Sequence, residues 1–138
     1  LYNNLIENQQ EHIFNMIDAE NYSFRDGCNF FVQANFEPKF KDKAIELIKE
    51  ELEKVKTDIT EREINKAKKK LKSRFACEAE TVSDIGEAIG YYMTVCDELE
   101  LAENYMPICD NMTIEYLQEA ARKYLDINHA VISVLMPQ

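Results

Sequence analysis

The sequence predicts an α+β fold in which helices pack on one face of a mainly antiparallel sheet. Three observations carry this. Residues 28–36, CNFFVQANF, alternate with period two, so a strand with one covered face is expected. Residues 42–56 and 112–125 set apolar side chains at three- and four-residue steps, the period of a helix with one apolar stripe. The chain then closes on HAVISVLMP, residues 129–137, an almost wholly apolar run that reads as an interior strand. Helix, two strands, a run of helices and a returning strand is the order of a layered α+β structure.

The elements follow in order. LYNNLIENQQ, residues 1–10, reads as helix, and HIFNMID, residues 12–18, as a strand. NYSFRDG then forms a turn in which Asp26-Gly27 supplies the permissive backbone of a hairpin. In the second strand Cys28, Phe30, Val32, Ala34 and Phe36 share one face, while Asn29, Gln33 and Asn35 share the other with Phe31. Pro38 opens a helix whose stripe is Ala44, Ile45, Ile48, Leu52 and Val55. Thr60 and Glu63 form a capping box, with Ile59 and Ile64 spaced as a hydrophobic staple, so a helix starts at Glu61 and extends to about Ala79. The basic run within it, KAKKKLKSR at Lys66–Arg74, is either a patch for acidic partners or a solvated face with Ala67 and Leu71 turned inward; the solvated face is preferred.

A third helix is expected over Ser83–Asp97, with Ile85, Ala88, Ile89 and Tyr92 on its apolar side. Gly86 and Gly90 lie inside it, one turn apart. Glycine there costs about 1 kcal/mol against alanine, so close approach of a neighbouring element is expected, with a hinge as the other reading. A short helix over Leu101–Cys109 should be interrupted near Pro107. Thr113 then caps a last helix, with Met112 and Leu117 as staple and Ile114, Leu117, Ala121, Tyr124 and Leu125 as stripe.

Composition narrows the function. The 138 residues are one domain or part of one, with a net charge of -10, which argues against nucleic acid as a partner. No apolar run approaches the length of a membrane span, so no membrane partner is expected. Cys28, Cys77, Cys96 and Cys109 show no zinc-ribbon spacing. Buried free thiols in a reducing compartment, the cytoplasm favoured, are the simplest reading, with a disulfide the other. The chain begins at Leu1 on a segment that already reads as helix, so a piece of a longer polypeptide is expected.

The motifs ITEREINKAKKKLK (residues 59–72) and TIEYLQEAARKYL (residues 113–125), with LYNNLIE followed by a strand, resemble the insulinase-like zinc metallopeptidases. That family includes pitrilysin and the mitochondrial processing peptidases. The first two motifs are similar to its T-x-x-E-L-x-x-A-K-x-x-L and T-x-x-x-V-x-x-x-A-x-K-Y-L patterns. The likeness covers nearly the whole chain and implies part of a non-catalytic half-domain, one of two homologous halves that close around peptides. LYNNLIENQQEHI is similar to the family's L-x-x-x-L-R-E-x-x-G-L-x-Y stretch, with Glu7 at its acidic position. The family's arginine and tyrosine, which hold substrate, fall at Ile6 and Ile13 here, and its glycine and leucine at Gln10 and Glu11. Aliphatic side chains donate no hydrogen bonds, so this substrate-binding clamp is not retained at Ile6 and Ile13.

No catalytic or metal-binding residue is assigned. NQQEH, Asn8–His12, misses the family's H-x-x-E-H box at its first position and is read as coincidence. A catalytic zinc takes about three protein ligands, and the two histidines, His12 and His129, each lack a second histidine one helical turn away. The resemblance implies that zinc and the water-activating glutamate lie in a catalytic half, in the same polypeptide or a partner subunit. This chain would then wall a chamber for a peptide substrate. The alternative is a structural or interaction protein of the same fold with no proteolytic role. The resemblance also implies strands preceding this chain; without them an open sheet edge should promote self-association.

Overall fold

Arg25 and Asp26 alone separate two long strands, so the hairpin turns as tightly as a chain can. In a computed structural model, which describes residues 3–7, 12–77 and 80–136 without the side chains of Asn3 and Glu7, β1 runs Phe14–Phe24 and β2 Gly27–Phe36. Five α-helices follow: α1 (Lys41–Val55), α2 (Glu61–Cys77), α3 (Val82–Tyr91), α4 (Glu100–Asn111) and α5 (Ile114–Tyr124). The fold is α+β, with a two-stranded antiparallel sheet among the described residues.

The first strand continues through much of the segment expected to turn. Asp18, Glu20 and Asn21 are polar because they stand on an open surface, and neither glycine nor proline interrupts pairing before Gly27. Gly27 has no positive φ, so its special backbone freedom is not what makes the turn. Asn15 and Met16 are both exposed between buried Phe14 and Ile17. Asn15 donates to Asn35 Oδ1 at 3.2 Å, and Phe14 meets Phe36 edge-on with ring centroids 6.1 Å apart. The strict alternation of β1 therefore breaks at Asn15 and Met16.

The described chain packs as two compact units: residues 1–21, 30–58 and 118–138 in one, residues 22–29 and 59–117 in the other. The first holds a core of Leu5, Ile13, Phe14, Ile17 and Ala44, with Val32, Ala34, Phe36, Phe40, Leu47 and Ile48 packed against it. Thus β2 alternates as expected over 32–36, whereas Cys28 and Phe30 on the same face are exposed. Pro38–Phe40 forms a single 3-10 turn that leads into α1. At the far end of α1, Gln118 Nε2 donates to the Thr57 carbonyl at 2.7 Å and Arg122 to that of Lys56 at 2.8 Å. Two side chains of α5 thereby satisfy carbonyls that a helix end leaves free.

In the second unit the Thr60–Glu63 capping box forms in both directions, Thr60 N–H to Glu63 at 3.0 Å and Glu63 N–H to Thr60 Oγ1 at 3.3 Å. Ile64 is buried, but Ala67 and Leu71 are exposed, contrary to expectation. The covered side of α2 is instead Ile64, Lys68 and Phe75. Phe75 stacks on Tyr105 at 5.6 Å, while Lys68 donates to the Asp110 carbonyl and Lys72 pairs with its carboxylate, both at 2.7 Å. The basic run is mostly solvated, but two of its lysines close the end of α4.

The third helix is found over its expected span, with its last turn widened: α3 passes at Tyr92 into a π-helical turn that runs to Cys96, and Asp97 ends it in the left-handed region at φ 56°. Three further expectations fail. A Cβ at Gly86 or Gly90 would meet no atom within 4 Å, so among the described residues no element approaches them. Pro107 does not interrupt α4, because the one hydrogen bond it removes is lost on an exposed turn. Residues 130–136 are exposed throughout and join no sheet among the described residues, so the expected closing strand is not found there. An apolar run encodes a liking for burial but not the partner strand that supplies it.

Candidate functional site

Ile6 and Ile13, the two clamp positions singled out by resemblance, pack into one core cluster in the chain's first unit. Asn3–Glu7 forms a five-residue π-helical turn. Within it Leu5 enters the core and Ile6 packs half-buried against the same cluster. Ile13, just ahead of β1, is 2% exposed in that core. Both aliphatic side chains at the clamp positions are therefore committed to packing. Gln10 and Glu11, with Asn8 of the NQQEH segment, lie outside the described residues; His12 is exposed.

Just before Leu5, Asn4 carries the polar feature that sequence reading missed. Its Nδ2 donates to Glu51 Oε2 at 2.8 Å, and Lys54 Nζ donates to Glu51 Oε1 at 2.7 Å. Glu51 is only 6% exposed, on the side of α1 that also carries Ala44 and Ile48. Burial pushes its carboxyl upward, but the hydrogen bonds from Lys54 and Asn4 prevail and hold it below the usual glutamate range. A signal did exist in the sequence: Glu51 stands seven residues after Ala44 and three after Ile48, on the apolar stripe. The pair ties the N-terminal turn bearing Ile6 to α1. It is a structural clasp, since both carboxylate oxygens are spent on it.

The histidines do not come together. His129 ends a short 3-10 turn, its Nδ1 2.7 Å from Asp126 Oδ2, with the ring at the surface. Asp126 lies below the usual aspartate range, first through the Asn128 backbone N–H and then through His129. Among the described residues no three of histidine, cysteine, aspartate and glutamate are grouped to hold a metal ion. All four cysteines are free thiols; Cys109 is buried as expected, but Cys28 and Cys77 are exposed, being on the hairpin's outer end and the last turn of α2. No helix of the described chain is long and apolar enough to cross a membrane.

Comparison with known families places residues 1–71, just over half of the chain, on the peptidase M16 inactive domain. Two solved structures share the fold. A protease from Helicobacter pylori superposes with a TM-score of 0.67 at 22% identity, over 83% of this chain and 28% of its own. The periplasmic protease PqqL from Escherichia coli superposes with a TM-score of 0.71 at 15% identity, over 89% of this chain and 14% of its own. This chain thus spans less than a third of either. Curated protein sequences give no match.

Proposed function

Because the chain belongs to the peptidase M16 inactive-domain family, we propose that it walls a peptide-binding chamber opposite a zinc-bearing half. The observation that carries this is the match over residues 1–71, which takes in the Ile6 turn, Ile13, the hairpin, α1 and most of α2. Zinc and the glutamate that activates water belong in this reading to the other half, in the same polypeptide or a partner subunit. There the metal would generate hydroxide at neutral pH. The present chain is part of a half-domain, and its role is to enclose and attract the peptide. Its net charge of -10 favours basic peptides through long-range attraction. At Ile6 and Ile13 it offers no donors to a substrate carbonyl.

The burial of Ile13 also supports a second reading, a structural or interaction protein of the same fold, since a residue packed in the core cannot face a substrate. Reconstitution separates the two. The chain alone, purified without chelator, should hold no stoichiometric zinc and cleave no peptide. Added to the half that carries H-x-x-E-H, it should raise peptide turnover at least tenfold. No gain on mixing selects the structural reading, and hydrolysis by the chain alone sinks both.

A further inference from the structure

We draw no further inference here: the strongest candidate, the exposed basic face that Arg62, Lys66, Lys69 and Lys70 form along α2, carries nothing, because the chain spans less than a third of either solved structure it matches and nothing in the structure shows what covers that face.

Discussion

Glu51 shows how one carboxylate can decide the position of a chain segment. A glutamate this deeply buried is tolerable only when its charge is met, and Asn4 and Lys54 meet it from two directions. Removing the charge leaves the Asn4 amide and the lysine with a weaker acceptor. Glu51→Gln should therefore cost about 1–3 kcal/mol of stability at neutral pH. The pH dependence has a definite sign. The folded carboxyl sits below its unfolded value, so its contribution is present above the unfolded pKa of about 4.3 and is lost as pH falls through the folded one. Urea denaturation of both proteins should show a gap at pH 7 that narrows on acidification below that range. A gap that widens in acid would show that the native state does not favour the charged form.

At the scale of elements, helix starts were written plainly in the sequence and helix surroundings were not. Thr60 with Glu63 is a local code, readable because a cap involves residues three apart. Thr81 with Asp84 caps α3 by the same geometry, through N–H bonds of 3.1 and 3.2 Å, although aspartate in the fourth position hid it. By contrast, Gly86 and Gly90 suggested close packing, and the structure leaves open space beside both. Neither glycine uses positive φ, so alanine fits the backbone and the space alike. Gly86→Ala and Gly90→Ala should each raise the melting stability of this chain by about 0.4–1 kcal/mol, chiefly by restricting the unfolded state. Thermal unfolding of the two single variants measures it. A loss of stability in either would mean that another element does press on that helix face.

For the whole molecule, the fold class was legible because periodicity is local, while pairing was not, because partners are distant. Residues 32–36 announced their covered face, and of the stripe expected in α1 Ala44 and Ile48 enter the core of the first unit with Ile13, Phe14 and Ile17, joined by Leu47. Residues 130–136 announced a strand that finds no partner among the described residues. The positions Ile6 and Ile13 became meaningful only through resemblance, since nothing in two isoleucines seven apart suggests a substrate clamp. Local stability should follow the same division. The first unit buries Leu5, Ile13, Phe14, Ile17, Ala44 and Ala121, whereas Ile64 and Cys109 are the buried hydrophobic residues described in the second. Helix α3 has no buried residue, and Val82, Ile85 and Ile89 are exposed along it. Amides open locally at lower free energy where little apolar surface is covered. Hydrogen exchange read by mass spectrometry should therefore find the amides of α1 around Ala44–Glu51 the slowest and those of α3 among the fastest helical ones. Protection of α3 equal to that of α1 would show that the second unit is held by contacts other than those of Ile64 and Cys109.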